Sequence, residues 1–219
     1  MIRNLKALGL ALIAVFAMSA IAASAASANE FHSSQENTQL TGKTTENHKF
    51  LYETGGNIVE CTGGTFNGTI LGKKTTKEVT VSPVYTGCTV PAVFNSPVHI
   101  DFTGCTYRFT INAAENKGPA HLICPAGAKI DITVTIPLLA DCTLTVGPQT
   151  PAGTTDYSNE GTTPKRSVVV QPTQTGIVGS RDGNSLCGEA TSTTGTYTGK
   201  ATVEGEKNGT KEQADVWVE

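Results

Sequence analysis

The run Val79–Val90 reads VTVSPVYTGCTV, and after a short connection Pro97–Ile111 reads PVHIDFTGCTYRFTI. Both alternate apolar and polar residues, and both arrive at an aromatic residue followed by Thr, Gly and Cys: Tyr85-Thr86-Gly87-Cys88 and Phe102-Thr103-Gly104-Cys105. A third copy, Tyr197-Thr198-Gly199, runs on into Lys200 where the other two carry Cys. Alternation of this kind turns one face of a strand toward a core. In the second run Val98, Ile100 and Phe102 share one parity, whereas Cys105, Tyr107, Phe109 and Ile111 share the other. One unbroken strand would leave half of them in water. A bulge or tight bend is therefore expected at Gly104, since glycine tolerates the backbone angles it needs.

The same period extends outward from these runs. Ile130, Ile132, Val134 and Ile136 alternate with Asp131, Thr133 and Thr135, which marks Lys129–Ile136 as a sheet-centre strand with one wet face. Cys142, Leu144 and Val146 repeat the pattern. Thr54-Gly55-Gly56-Asn57 is a hairpin turn between Lys49–Glu53 and Ile58–Cys61. Gly147–Pro164, rich in Pro, Gly, Thr, Asp and Asn, reads as a long exposed loop pinned by Tyr157, and Ser167–Gln171 as a short buried strand. Thr makes up about one residue in six after the leader, and helix formers are sparse. These features predict an all-β fold: an antiparallel β-sandwich, Ig-like or jelly-roll-like, of roughly ten to twelve short strands. A sandwich is preferred to a barrel because disulfides commonly join facing sheets and no ligand-cavity pattern is visible.

The N-terminus sets the compartment. Arg3 and Lys6 precede the apolar run Ala7–Ile21, and Ala26-Ser27-Ala28 offers a small-x-small cleavage site. This reads as a secretory signal-peptide helix over residues 1–28, leaving residues 29–219 as a single secreted domain without membrane insertion after cleavage. All six cysteines (Cys61, Cys88, Cys105, Cys124, Cys142 and Cys187) follow it, and an even number in an exported chain argues for three disulfides of open connectivity. Their spacings are long and contain no CxxC, so zinc is disfavoured and no cofactor is expected. Cleavage removes two of the 16 basic residues and leaves 14 against 19 acidic ones, a net charge of −5. Without clustered cations, neither nucleic acid nor an anionic membrane is an expected partner.

The signal segment, the paired TGC elements, His121–Gly127 (HLICPAG) and the closing GTYTGKATVEG resemble exported Thr/Gly-rich, six-cysteine proteins of soil actinobacteria. The resemblance implies export and an all-β fold, and it supplies no site residues.

Chemistry is sparse. Gly183-Asn184-Ser185-Leu186-Cys187 begins like a nucleophile elbow but has Cys in place of the final Gly. Gly42-Lys43-Thr44 lacks the upstream glycine of a phosphate loop, and Asp182-Gly183-Asn184 lacks the further ligands of a calcium loop. His99 and Asp101 share one strand face and have the order of a general base and its orienting carboxylate, with His121 a neighbour if the strands pair. His32 and His48 are expected in solvent. Asp131 with Asp141, or Glu204 with Glu206, are the acid pairs available to a glycoside hydrolase. Parity sets Trp217 with Asp215 and Glu219, outward, so Trp217, Tyr157 and Tyr52 are the candidate ligand contacts. A Trp in that place also suits packing under the N-terminal arm. The expectation is a non-enzymatic secreted structural or adhesion-type binding protein, partnered by cell-wall glycan or a surface protein. A carbohydrate-binding module and a secreted hydrolase of polysaccharide or peptide are the alternatives.

Overall fold

The computed structural model describes residues 29–137, 140–182, 190–210 and 212–219. The expected signal peptide and Cys187 lie outside them. Among the described residues sixteen strands follow in chain order: β1 (Phe31–Ser33), β2 (Thr38–Leu51), β3 (Ile58–Ile70), β4 (Thr75–Thr76), β5 (Glu78–Val90), β6 (Ser96–Asp101), β7 (Thr106–Thr110) and β8 (Lys117–Gly118). The second half holds β9 (Ala120–Ile123), β10 (Ile130–Ile136), β11 (Ala140–Val146), β12 (Ala152–Glu160), β13 (Ser167–Asp182), β14 (Thr191–Lys207), β15 (Gln213–Ala214) and β16 (Val216–Val218). Every pairing between them is antiparallel, and the described residues contain no helix.

Five long strands, in the order β13-β14-β2-β3-β5, form one wall. The facing wall is divided. Its upper half is β6-β10-β11, joined to the end of β5 through Thr89↔Pro97 and to the end of β13 through Thr145↔Ser180. Its lower half is β7-β9 and β8-β12, joined to the start of β5 through Val79↔Phe109 and to the first half of β13 through Tyr157↔Val170. The antiparallel sandwich is thus present with an addition: its walls meet along both long edges, and a flattened ring results. Closure removes the open edge that invites strand-to-strand association. A small sheet, β16-β1-β4, packs against the lower end.

The tight bend at Gly104 is what lets one stretch serve both halves. Thr103 and Gly104 both take positive φ (46° and 79°), and the Cys105 N–H donates to the Phe102 carbonyl at 2.7 Å. Asp101 Oδ1 accepts from the Thr103 N–H at 2.8 Å and steadies the turn. The chain leaves β6 in the upper half and enters β7 in the lower half with its side-chain parity reset, so Phe102, Cys105 and Phe109 are all buried.

β10 lies between β6 and β11, with Ile130, Ile132 and Val134 inward and buried, as the alternation requires. Each such side chain contributes about 1.5–3 kcal/mol before ordering costs. Two expectations need correction. Gly147–Pro164 is not a long loop: it contains the nine-residue β12, whose Thr155 and Tyr157 alternate inward beneath the flanking Pro and Gly signals. The expected short strand at Ser167 runs 16 residues, because Pro172, which has no N–H to donate, sits where the β13–β14 ladder is interrupted.

The two disulfides whose cysteines are both described join neighbouring strands and not facing sheets. Cys61–Cys88 links directly opposed positions of β3 and β5, and Cys105–Cys124 ties the residues flanking the β7–β9 pair. Cys142 in β11 is also disulfide-bonded, and no described cysteine is free.

Two side-chain amides stand in for missing strand partners. Gln149 pairs its backbone with Leu122 while its side chain donates to the Val178 carbonyl and accepts from the Val178 N–H, both at 2.8 Å. It thereby bridges β9 and β13. Asn159 makes the same pair of hydrogen bonds with Val218, donating to its carbonyl at 2.9 Å and accepting from its N–H at 2.8 Å, and fastens β16 to β12.

Candidate functional site

The three aromatic-Thr-Gly elements converge. Tyr85 of β5 and Tyr197 of β14 point inward from the long wall, and their hydroxyls meet at 2.7 Å. Phe102 stacks on Tyr85 with centroids 5.8 Å apart. From β7 on the opposite wall Tyr107 stacks on Tyr197 at 5.9 Å and accepts a long hydrogen bond from the Tyr85 hydroxyl at 3.5 Å. His48 of β2 completes the group, with Nδ1 2.8 Å from the Tyr197 hydroxyl and the ring packed against Phe66 and Tyr85. The imidazole lies over Gly199, the glycine of the third element, where no other residue leaves room for it.

His48 is 1 % exposed, which corrects the expectation that it is solvated. Its parity is the reason: Leu40, Gly42, His48 and Phe50 share the inward face of β2. Desolvation lowers its pKa from 6.5 to about 4, against a smaller opposing effect of the Lys200 backbone. The imidazole is therefore neutral at physiological pH. Burial likewise pushes the hydroxyls of Tyr85, Tyr107 and Tyr197 well above the usual phenol range. Together they form a neutral hydrogen-bonded chain at mid-height of the ring.

Two apolar cavities flank that chain. The lower, about 60 Å³, is lined by Leu40, Phe66, Val81, Val168 and Ala201 among others, and reaches His48. The upper, about 70 Å³, is lined by Ile100, Phe102, Leu122, Ile132 and Ile177, and reaches Gln174. Phe109 and Tyr197 line both. Neither cavity was visible as a pattern in the sequence, since alternation along single strands does not reveal which inward positions fail to meet.

The expected surface contacts are differently placed. Tyr157 is buried, with its ring edge-on to Phe31 at 5.0 Å and its hydroxyl donating to the Thr110 carbonyl at 3.0 Å. It offers no outer face. Tyr52 is half-buried and donates to the Gly179 carbonyl at 3.4 Å. Trp217 is half-buried opposite His32 of the N-terminal strand, stacked on it at 5.1 Å, with the Arg166 guanidinium 3.7 Å from its ring centroid. Packing against the arm is thus its observed place. Asp215 is not outward: it is buried, accepting from the Arg166 N–H at 2.9 Å and lying 3.5 Å from the Arg166 Nε.

On the outer wall His99 and Asp101 are both exposed, with Asp101 committed to the Thr103 turn. His121 is on β9, beyond β7, bonded to Thr150 at 2.8 Å and not beside His99 on β6. Asp131 faces Thr145 while Asp141 faces Thr135. Four strand positions separate them, about 13 Å, which exceeds the spacing of either glycosidase geometry. Glu204 and Glu206 stand two residues apart on β14, with Thr41 and Gln39 opposite them. The remnant of a nucleophile elbow lies outside the described residues apart from its preceding Asp182. No group of three metal-ligating side chains occurs among the described residues.

No family model, no curated protein and no solved structure matches this chain.

Proposed function

We propose that this is a secreted, non-enzymatic structural or surface-binding protein that presents the threonine-clad outside of its ring to a cell-wall glycan or a surface protein. One observation carries the reading. The polar side chains that alternation makes available are spread over the outer walls, as in the row Thr173–Thr198–Lys49–Glu60–Thr89, while the converging polar groups are sealed inside. Thr and paired charges on a rigid wall suit a binding surface, and disulfides suit life outside the cell.

A pull-down of the oxidised mature protein against cell-wall fractions, glycan arrays and surface extracts tests this. Saturable retention by one class, with no turnover of polysaccharide or peptide substrates, supports it. Turnover by the purified protein refutes it.

A further inference from the structure

We propose that the interior of the ring binds small apolar molecules, light hydrocarbons of a few carbon atoms, in its two cavities. The polar groups at mid-height are spent on one another: the hydroxyls of Tyr85 and Tyr197 meet at 2.7 Å, and His48 Nδ1 lies 2.8 Å from the Tyr197 hydroxyl. What is left toward the cavities is carbon. Val81, Val168 and Ala201 face the lower space, and Ala120, Leu122 and Ile132 the upper one. All of them are buried.

Protein interiors are close-packed and contain few voids larger than a water molecule. One water needs roughly 10–15 Å³ of such space, so cavities of about 60 and 70 Å³ have room for several. Water is nevertheless the wrong occupant, because each buried molecule needs about two to four polar partners and these walls offer almost none. An apolar guest gives up no hydrogen bond on entering, and it restores the dispersion contacts that side chains facing a void lack. The fold itself keeps the space from closing. Its walls are joined along both long edges, through Thr89↔Pro97 and Thr145↔Ser180 in the upper half and through Val79↔Phe109 and Tyr157↔Val170 in the lower. A wall held at both margins cannot slide inward, which restricts the collapse that would otherwise fill a void. Each cavity also reaches a half-buried margin, at His32 and Trp217 below and at Gln149 and Pro151 above, which leaves a guest one layer of side chains to pass. Both are smaller than the ~150 Å³ that admits benzene, which sets the guest at a few carbons. The inference is independent of the surface-binding reading, since the guest sits inside the walls.

The test is an NMR titration of the oxidised mature protein with cyclopropane, with ethanol as a polar probe of similar size. Saturable methyl shifts are expected at Val81 and Val168 for the lower cavity and at Leu122 and Ile132 for the upper, at least tenfold tighter for cyclopropane. Ala201→Leu, which extends a side chain into the lower space, should abolish the lower response and leave the upper one, and Ala120→Leu the reverse. Ethanol binding as tightly as cyclopropane overturns the proposal, as does the absence of any saturable shift in the folded wild-type protein. If either variant fails to fold, the wild-type comparison decides alone.

Discussion

His48 packs directly on Gly199: a methyl group on Gly199 would lie 2.2–2.7 Å from the Nδ1, Cε1 and Cγ atoms of the His48 imidazole. Both residues are on neighbouring strands of the long wall, β2 and β14, so neither backbone retreats easily from the other. Gly199→Ala should therefore destabilise the protein by about 1–3 kcal/mol, the usual cost of overpacking. Chemical denaturation measures it, and the combined variant Gly199→Ala/His48→Ala should recover part of the loss. Strict additivity of the two substitutions would show that the residues do not share space.

The same histidine makes stability depend on pH. Its folded pKa of about 4 lies below the unfolded value of 6.5, so the unfolded chain takes up a proton that the folded one refuses. Stability from this group is complete above about pH 6.5, falls between there and pH 4, and then levels off, with a total loss of roughly 3 kcal/mol. Urea midpoints taken across that range, in wild type and in His48→Phe, isolate the effect. An unchanged slope in the variant would assign the acid sensitivity elsewhere.

Tyr197 stands in the middle of the hydroxyl chain and Tyr107 at its end. Removing the Tyr197 hydroxyl leaves both His48 Nδ1 and the Tyr85 hydroxyl short of a partner, whereas Tyr107 holds only the 3.5 Å contact. Tyr197→Phe should cost about 2 kcal/mol and Tyr107→Phe well under 1 kcal/mol. The order of the two, read from denaturant midpoints, is the prediction.

The convergence was partly legible beforehand. The three aromatic-Thr-Gly elements were visible, and so was the parity break that became the turn at Thr103-Gly104, because both are local patterns. His48 was misplaced although it shares parity with Leu40 and Phe50; its polarity outweighed its phase. β12 was hidden because Gly153 and the flanking prolines read as loop, while the partners that order it, β8 and β13, are distant in sequence. The cavities and the ring closure depend on which strands meet, which a period of two does not encode.

Gln149 holds the seam between β9 of the divided wall and β13 of the long wall. Gln149→Leu keeps its backbone pairing with Leu122 but leaves the Val178 N–H and carbonyl unpaired. Both bonds are exposed to solvent, so a loss of about 0.5–1.5 kcal/mol is expected. Hydrogen exchange should quicken at Val178, with little change at Val98 and Val134 on the β6–β10 pair. Uniform acceleration across the ring would mean that the seam is not a local joint.

Cys61–Cys88 closes 27 residues of chain. The paired change Cys61→Ala/Cys88→Ala should lower stability by about 2–4 kcal/mol without opening the β3–β5 ladder, which is paired from Glu60↔Thr89 to Gly68↔Val81. Thermal unfolding monitored by circular dichroism gives the value.

The account as a whole depends on the repeated aromatic elements meeting around a buried, uncharged imidazole. A long-range nitrogen–proton NMR titration of His48 in the oxidised mature protein reads this directly. It should show a neutral ring across physiological pH, bonded through Nδ1 to Tyr197, with a midpoint near 4. A ring that titrates near 6.5 and exchanges freely with solvent would contradict it.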